Sequence, residues 1–353
     1  MVDDSGLTGG MHIAMVAPPW FHIPPEAYGG IEEIVGALTA ALTARGHRVS
    51  LIAAGRDGTP ARLLRTFTEP PSDQLGEPLP ELLHAAAAAR MLADLDADVV
   101  HDHSLAGPLT AAGRAVPTMV TVHGPMDGDL AEYYRQLGDT VSLVAISAAQ
   151  RASAPDLNWV ATVHNGVDVG SFPFRDAKED WVVFVGRFVE EKGAHLAIDA
   201  ARAAGRRIVL AGKLSEPAEQ DYFDREIQPR LGPDVEYVGQ ADAEAKRELY
   251  AKAACLLFPV RWPEPFGMVM VEAMACGTPV VALDHGSVPE VVVDGTTGIV
   301  CSTVDELPAA IAKAERLQPS ACRDHVTRHF DVSVTAEGYE KVYRRVAGRD
   351  EAG

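Results

Sequence analysis

Basic residues are scarce in this sequence. Its 31 Lys and Arg stand against 50 Asp and Glu, which gives a formal net charge of −19. Nucleic acids and anionic membrane surfaces attract proteins through basic patches. The first predicted helix carries Glu32 and Glu33 where such a patch would need Lys or Arg. The composition therefore argues against a nucleic-acid partner and predicts no stable association with a membrane.

Long apolar runs and regularly spaced cysteines are also missing. No apolar run reaches the length that crosses a bilayer, and the N-terminal segment MVDDSGLTGG is acidic, unlike a signal peptide. The cysteines have no metal-ligand spacing, so we expect buried, reduced thiols. These features predict a cytoplasmic protein. The cysteines are Cys255, Cys276, Cys301 and Cys322.

Signatures that would assign a cofactor or a metal are absent or misplaced. The sequence has no Gly-x-Gly-x-x-Gly and no Gly-x-Ser-x-Gly, which argues against a dinucleotide site and a hydrolase nucleophile. Asp-x-Asp occurs at 94–96, 96–98 and 127–129, but none follows a strand, where it would chelate a diphosphate. His101, Asp102 and His103 share one predicted strand, whose successive side chains point to opposite faces. We therefore predict no metal and no cofactor.

The sequence does have a regular alternation of buried strands and amphipathic helices. MHIAMVAPP predicts a strand, the apolar positions from Ile31 to Leu42 repeat with a helical period, Gly46 ends that helix, and HRVSLIAAG predicts the next strand. Residues 57–80 lack a period and predict a long loop or a short strand. Over 353 residues, this order predicts an α/β protein of two Rossmann-like domains.

One stretch, from Phe258 to Val281, predicts a ligand site. An apolar strand ends there, a loop rich in proline follows, and an apolar helix runs from about Met268 to Cys276, where Gly277 ends it. The free N–H groups at such a helix start attract anions such as phosphate, and a glycine lets the anion approach the backbone. These N–H groups belong to Phe266, Gly267, Met268 and Val269.

Two carboxylates in this stretch suit a ligand with two diols. Glu264 lies in the loop and Glu272 in the helix, and a carboxylate accepts hydrogen bonds from two adjacent hydroxyls. A nucleotide sugar has the matching layout of ribose diol, diphosphate and sugar hydroxyls. The alternative is a capped core helix with Glu264 in solvent. Glu272 argues against it, since an otherwise apolar helix has little use for a carboxylate.

Cations and a histidine follow other predicted strands. Arg187 and Lys192 flank a helix start near Gly193, where they would neutralise a diphosphate; solvated surface cations are the alternative. His123 ends the strand PTMVTVHG, at the edge of a parallel sheet where active sites lie. A structural histidine is the alternative there.

The segment PEPFGMVMVEAMACGTPVV resembles the Glu-x7-Glu signature of the retaining glycosyltransferases of family 4, and VGRFVEEKG, TVHG and HNGVD are similar to further motifs of that family. The resemblance extends over most of the chain. It implies the GT-B fold, with two Rossmann-like domains facing each other across a cleft and a C-terminal helix that crosses back. The implied bounds are an acceptor domain at 11–168, a nucleotide-sugar domain at 169–330 and the returning helix at 331–353.

The resemblance also implies roles for single residues. Arg187 and Lys192 would bind the diphosphate, Glu264 the transferred sugar and Glu272 the ribose, while His123 would face the sugar. Further donor-binding positions come from the Gly-Gly loop after the first strand, the predicted base-binding edge and the helix beyond it. These are Gly29, Gly30, Gln240, Ala241 and Lys246.

The residues and the resemblance together predict a hexosyltransferase of carbohydrate biosynthesis, and the resemblance implies that it retains the anomeric configuration. A UDP-sugar is the favoured donor and GDP-mannose the second; the acceptor is a small soluble molecule, and the enzyme is a monomer or homodimer that needs no metal. Two alternatives stay open on the same scaffold, because a fold does not set the chemistry. They are a sugar phosphorylase and a catalytically silent protein that binds nucleotide sugars.

Overall fold

The computed structural model describes residues 10–25, 29–56 and 58–349. Two compact units divide the chain. The first contains residues up to 146, residues 151–164 and residues from 332 onward, and the second contains residues 147–150 and 165–331. The last part of the chain therefore returns to the unit in which the chain began.

A seven-stranded parallel sheet forms the centre of the first unit. Its order is β3-β2-β1-β4-β5-β6-β7, so the order reverses beside β1. β1 and β5 are buried at every position, which is typical of parallel strands covered on both faces. The strands are β1 (His12–Val16), β2 (Arg48–Ala53), β3 (Arg62–Arg65), β4 (Val99–Asp102), β5 (Thr118–Val122), β6 (Ser142–Ala145) and β7 (Trp159–Thr162).

Helices α1 (Gly30–Ala44), α2 (Pro78–Ala93) and α3 (Gly128–Leu137) belong to this unit, and α4 (Ala148–Ser153) lies where the chain divides. α1 buries Val35, Leu38 and Leu42 in the core shared with β1 and β2. It ends before Gly46, whose φ of 90° favours glycine. The helical period in the sequence and the glycine that follows it are both confirmed.

A six-stranded parallel sheet forms the centre of the second unit, in the order β10-β9-β8-β11-β12-β13. Helices cover its core, so both units have the doubly wound architecture that the alternation predicts. The strands are β8 (Trp181–Val185), β9 (Arg207–Ala211), β10 (Val235–Tyr237), β11 (Leu256–Phe258), β12 (Val280–Leu283) and β13 (Gly298–Cys301). The helices are α5 (Ala194–Ala203), α6 (Pro217–Tyr222), α7 (Ala243–Lys252), α8 (Met268–Ala275), α9 (Val288–Val291), α10 (Leu307–Ala314) and α11 (Pro319–His329).

The final helix, α12 (Val332–Val346), belongs to the first unit and packs against α1. Tyr339 and Tyr343 on its inner face are almost fully buried. Glu340 accepts hydrogen bonds from Nε and Nη2 of Arg45 at 2.7 and 2.8 Å, and lies 2.9 Å from Nε2 of His47. These contacts fix the returning helix to the end of α1.

The described residues within 57–80 contain both a short strand and loop segments, the two structures that the sequence predicted as alternatives. Arg62–Arg65 form β3 at the edge of the sheet, Ser72–Gln74 form a single 3-10 turn, and the remaining described residues are irregular up to α2. β3 is short and half exposed, so it lacks the buried apolar run that marks the inner strands. That is why the sequence could not decide between a loop and a strand.

No helix within the described ranges is long and apolar enough to cross a membrane. The four cysteines are buried free thiols, as predicted. Burial raises the pKa of the Cys276 thiol, and likewise that of Cys322, to about 12. Both thiols therefore stay protonated and unreactive at neutral pH.

Replacing Glu340 with Gln is expected to lower the free energy of unfolding at neutral pH by about 3 kcal/mol. The hydrogen bond from Arg45 outweighs the effect of burial, and His47 adds to it, so the pKa of Glu340 falls from 4.5 to about 2. Because the folded pKa is depressed, the stabilisation is present above pH 4.5 and is lost as the pH falls toward 2. Urea unfolding at several pH values measures the loss.

Glu337→Gln on the same helix is the matched control. Glu337 is exposed and pairs with Lys341 at 2.7 Å, so its loss should change the free energy of unfolding far less than the loss of Glu340 does. Equal losses in the two variants would contradict the assignment to the Arg45–Glu340 pair.

Candidate active site

The carboxyl ends of β8 and β11 lie side by side where the strand order of the second unit reverses. Such a switch point is where open α/β sheets bind ligands. Gly193, which precedes α5, has a φ of 72°, and a Cβ added there would stand 2.5 Å from the carbonyl oxygen of Pro259. The close approach brings the loop after β8 against the loop after β11.

The start of α8 has the geometry of an anion site. Gly267 is its N-cap in the left-handed region, with φ 76°, and an added Cβ would stand 2.7 Å from Cε of Met270. Met268 and Val269 are half-buried at the helix start, and the first N–H groups of a helix have no partner within it. The N–H groups of Phe266 to Val269 thus surround the positive end of the helix dipole.

Lys192 and Glu264, two predicted site residues, form one ion pair. Nζ of Lys192 lies 2.5 Å from Oε2 of Glu264, and both side chains are mostly buried. The same ammonium lies 5.2 Å from the ring centroid of Trp262, within the range of a cation–π contact. The loop carboxylate is therefore held in place and does not extend into solvent.

Lys246 and Glu272, two further predicted site residues, form a second ion pair. Nζ of Lys246 lies 2.9 Å from Oε1 of Glu272, and the hydroxyl of Tyr250 donates to Oε2 at 3.0 Å. Glu272 is only 3% exposed, so the carboxylate needs these partners. Lys246 and Tyr250 are one turn apart on α7, which turns both side chains toward α8.

Arg187 follows β8 and contacts two carboxylates at the start of α6. Its Nε donates to Oε1 of Glu219 at 2.7 Å, and its Nη2 lies 3.0 Å from Glu216. Burial alone would raise the pKa of Glu219, but hydrogen bonds from the N–H of Ser215 and from Arg187 outweigh it and lower the pKa. The guanidinium is thus oriented by an ionised, buried carboxylate.

The predicted base-binding residues follow β10, the edge strand of this sheet. Gln240 is exposed and Ala241 half-buried, and the carbonyl oxygen of the preceding Gly239 accepts a hydrogen bond from the N–H of Gly212. Asp242 then caps α7 by accepting from the N–H of Ala245 at 2.8 Å. Gln240 and Ala241 therefore lead into the helix that carries Lys246.

The predicted Gly-Gly loop of the first unit ends at the start of α1. Gly29 has a φ of 145°, and an added Cβ would stand 2.9 Å from Cβ of Pro25, so the backbone requires glycine there. A Cβ on Gly30 would meet nothing within 4 Å. Glu32, in the first turn of α1, is buried, and burial raises the pKa of its carboxyl group to about 7. Tyr28 of this loop, an aromatic residue that could stack on a sugar ring, lies outside the described residues.

His123, at the end of β5, lies beside a second histidine. Its Nε2 is 2.9 Å from Nδ1 of His103, and the ring centroids of His101 and His103 are 4.0 Å apart. Burial lowers the pKa of His123 to about 4, so its imidazole is neutral at physiological pH. Asp102 points to the other face, where it accepts from the N–H and hydroxyl of Ser104, as the alternation of a strand predicts.

Within the described ranges, no three His, Cys, Asp or Glu side chains come together as a group able to hold a metal ion. Of the Asp-x-Asp residues, Asp98 accepts from the N–H of His12 at 2.7 Å and contacts Arg349. Asp127 precedes α3. Asp98 and Asp127 therefore each lie in a local structural setting, one bonded to the backbone of β1 and the other at a helix start.

Several residues of the site were missed by the sequence reading. Glu219 could have been found, because Glu216 and Glu219 have the spacing of a capping box and the structure shows that box at α6. Tyr250 is one turn from Lys246, which is a weak signal. Trp262 had none, because its contact with Lys192 joins two different loops.

The loop after β12 supports Glu264. Gly286 has a φ of 56°, and an added Cβ would stand 2.4 Å from the carbonyl oxygen of Glu264. The N–H of Ser287 donates to the same oxygen at 3.1 Å, and its hydroxyl donates to the carbonyl oxygen of Phe266 at 2.8 Å. This loop holds the backbone that leads into the candidate anion site at the start of α8.

Two family models match the chain. Residues 28–171 match the model described as Glycosyltransferase Family 4, and residues 172–325 match Glycosyl transferases group 1. The two matches are contiguous. Together they cover both units apart from the chain ends.

Curated relatives align over nearly their full length. Glycogen synthase of Mycobacterium tuberculosis (strain CDC 1551 / Oshkosh) is 27% identical over 398 residues, with 94% of each chain covered. Phosphatidyl-myo-inositol mannosyltransferase of Mycolicibacterium smegmatis is 27% identical over 380 residues, covering 96% of this chain and 95% of the relative. Both names describe transfer or assembly of sugars.

Solved structures are similar in fold. AviGT4, a glycosyltransferase involved in avilamycin A biosynthesis, is 29% identical with a TM-score of 0.76, and the likeness covers 96% of this chain and 98% of that one. HepE of Anabaena, solved in complex with UDP and glucose, is 19% identical with a TM-score of 0.73 over 94% and 99%. The predicted fold class, an α/β protein with two parallel sheets of the GT-B type, is confirmed.

Gly286→Ala is expected to destabilise the second unit more than Gly295→Ala. Both glycines have a positive φ, of 56° and 73°, so both substitutions carry the backbone cost of about 1 kcal/mol. Only Gly286 faces a backbone atom, because a Cβ on Gly295 meets nothing within 4 Å. Urea unfolding compares the two variants. Equal losses in the free energy of unfolding would mean that the Glu264 loop moves away from the added Cβ without cost.

Proposed function

The chain belongs to the family 4 glycosyltransferases, and from that premise we propose the reaction. It moves a hexose from a nucleoside-diphosphate sugar to a hydroxyl of a small soluble acceptor, with retention of the anomeric configuration and without a metal ion. The observation that carries the proposal is the pair of lysine-bound carboxylates, Glu264 in the loop before α8 and Glu272 within α8.

The donor is assigned to the second unit by chemistry. The diphosphate lies at the α8 N terminus, where the helix dipole and the first N–H groups of the helix favour anions. Lys192 and Arg187 turn from their carboxylates toward it. Once Lys192 binds phosphate, Glu264 is released to accept hydroxyls of the transferred sugar, while Glu272 accepts the ribose hydroxyls beside Lys246.

For the base, we favour uracil over guanine. The predicted base-binding residues, Gln240 and Ala241, offer an edge-strand backbone and one side-chain amide. HepE, a fold neighbour, was solved with UDP and glucose, which supports UDP as the first donor to test. GDP-mannose is the second, since a relative is named a mannosyltransferase.

The reaction needs no protein nucleophile in this proposal. The bond from the anomeric carbon to the diphosphate oxygen breaks, the acceptor oxygen forms the new bond on the same face, and its proton passes to the diphosphate. Arg187, Lys192 and the α8 N–H groups stabilise the charge on the leaving group, which is the role a metal ion would otherwise have. His123, neutral at physiological pH, contacts the transferred sugar.

The acceptor is proposed to be soluble and the enzyme cytoplasmic. α1 begins with Glu32 and Glu33, and the chain carries a net charge of −19, so an anionic membrane surface would repel it. The two curated relatives are named for different products, glycogen and a mannosylated phosphatidylinositol. Their acceptors therefore give no single model for this one.

Incubation with UDP-glucose or GDP-mannose tests the proposal directly. We expect slow hydrolysis or transfer, a product anomer that matches the donor by NMR, and full activity in the presence of a chelator. Inversion, or loss of activity with the chelator, would contradict the mechanism. Sugar phosphate formed from added orthophosphate would indicate a phosphorylase, and nucleotide binding without turnover would indicate a silent binding protein.

Glu272→Gln and Glu264→Gln should affect different steps. Glu272→Gln should weaken binding of free UDP or GDP about tenfold, because it loses charge-assisted hydrogen bonds to the ribose. Glu264→Gln should leave that affinity within about threefold and lower kcat, because its partner is the sugar. Calorimetry and steady-state kinetics separate the two effects.

Glu236→Gln is the control for loss of one carboxylate. Glu236 lies on β10 and is exposed, with Arg207 at 3.6 Å, so its loss should change neither affinity nor kcat. If Glu264→Gln and Glu272→Gln lost nucleotide affinity equally, the assignment of one carboxylate to sugar and the other to ribose would be wrong.

A further inference from the structure

A chain of hydrogen bonds leads away from His123 into the core of the first unit. His123 Nε2 lies 2.9 Å from His103 Nδ1, and His103 Nε2 lies 3.2 Å from the sulfur of Met15. Met15 lies on β1, while His103 and His123 directly follow the adjacent strands β4 and β5, and the register places all three on the same face of the sheet. The three side chains form one line across that face.

The sulfur gives this line a direction. A thioether accepts hydrogen bonds and has no proton to donate, so Nε2 of His103 must carry the proton in its contact with Met15. In a neutral imidazole the other nitrogen is then unprotonated. Nδ1 of His103 is therefore an acceptor, and Nε2 of His123 is the donor that it faces.

The same logic continues to the outer nitrogen of His123. Because Nε2 carries the proton, Nδ1 of the neutral ring is a hydrogen-bond acceptor. Among the described residues, only His103 forms a hydrogen bond with the His123 ring. Its side chain is half-buried, unlike the fully buried rings of His101 and His103. Nδ1 is thus the nitrogen left to meet a ligand.

The charge state supports this reading. Burial lowers the pKa of His123 to about 4, and burial together with the neighbouring rings lowers the pKa of His101 and His103 well below 6.5. His101 makes its own bonds, with Tyr343 on Nδ1 at 2.8 Å and Thr121 on Nε2 at 2.7 Å. Neither of these two hydrogen bonds of His101 involves a ring nitrogen of His103. All three rings are neutral at physiological pH, so a single tautomer is defined for His123.

We propose that His103 is a positioning residue that holds His123 in the tautomer with an unprotonated Nδ1, so that His123 accepts a hydrogen bond from a hydroxyl of the transferred sugar. The second half rests on the proposed function. The first half concerns the tautomer and stands without it. Together they name a specificity rule, namely that the donor sugar must present a hydroxyl proton to His123.

Nitrogen-detected NMR of the imidazoles tests the tautomer in the unliganded protein. In the wild type we expect His123 to be protonated at Nε2 alone. Met15→Leu removes the sulfur at nearly constant volume, so it should convert the His123 signals to a mixture of tautomers. Met119→Leu is the matched control, because Met119 is buried on the same face and has no hydrogen bond to a histidine among the described residues. It should leave the signals unchanged.

A wild-type His123 protonated at Nδ1 would overturn the proposal. So would a Met15→Leu spectrum identical to the wild type, since the sulfur would then not set the direction. His103→Phe offers an independent check, because it removes the acceptor for Nε2 of His123 while keeping a flat ring. It too should yield mixed tautomers, and an unchanged His123 would contradict the role of His103.

Kinetics with UDP-glucose analogues tests the sugar contact. Each hydroxyl of the glucose is replaced in turn by hydrogen or fluorine, which accepts but cannot donate. At one position the wild type should lose about tenfold in kcat/KM with either replacement. In Met15→Leu that loss should shrink to about threefold or less, while Met119→Leu should match the wild type.

The NMR experiment and the kinetic experiment test the two halves of the proposal independently. If no UDP-glucose is consumed, the proposed function is wrong for this donor, and the NMR result still decides the tautomer. If UDP-glucose is consumed but fluorine replaces every hydroxyl without loss, His123 does not accept from the sugar. A constant loss in the wild type and Met15→Leu would separate the sugar contact from the tautomer and contradict the link between them.

Discussion

Burial of a carboxylate inside an apolar helix is the constraint on which the second unit depends. Glu272 is 3% exposed, and an ion removed from water must find charged and hydrogen-bonding partners. α7 supplies both, through Lys246 and Tyr250, so the rotation of α7 about its axis is set by α8. Glu264 imposes the same condition on the loop that carries Lys192. The carboxylates assigned to the ligand therefore also determine how the surrounding elements pack.

Local signals account for the parts of the fold that the sequence predicted. The strand, loop, helix and closing glycine around α8 are encoded within a short stretch, and the structure has the helix at Met268–Ala275 with Gly277 at φ 79° after it. β3 was ambiguous because an exposed edge strand has no buried period to recognise. α6 was not predicted, although the sequence has the two residues of its capping box, Glu216 and Glu219. Its short length gave no helical period to confirm the box.

Pairing within the site was beyond the sequence for a different reason. Residue types predicted which side chains suit a nucleotide sugar, but they assigned cations to phosphate and carboxylates to hydroxyls without joining them. The pairs Lys246–Glu272 and Lys192–Glu264 span 26 and 72 positions in the chain, and only the parallel sheet brings them together. His103 and His123 were likewise considered apart, although β4 and β5 are neighbours. The roles of all these residues in the reaction remain predictions.

Ion pairing also bears on how so acidic a chain could bind an anion at the proposed site. Three cations of the proposed site, Arg187, Lys192 and Lys246, pair with four carboxylates, Glu216, Glu219, Glu264 and Glu272. Net charge therefore cannot attract a diphosphate there. Attraction must come from oriented groups, the N–H donors at the start of α8 and cations held ready by partners that they can exchange. A phosphate that replaces Glu264 at Lys192 leaves a carboxylate that needs new donors, and adjacent hydroxyls of a sugar supply them. In the proposed site, an anion without such hydroxyls would leave that carboxylate unsatisfied, so the proposal predicts selectivity for a nucleotide sugar over a simple phosphate.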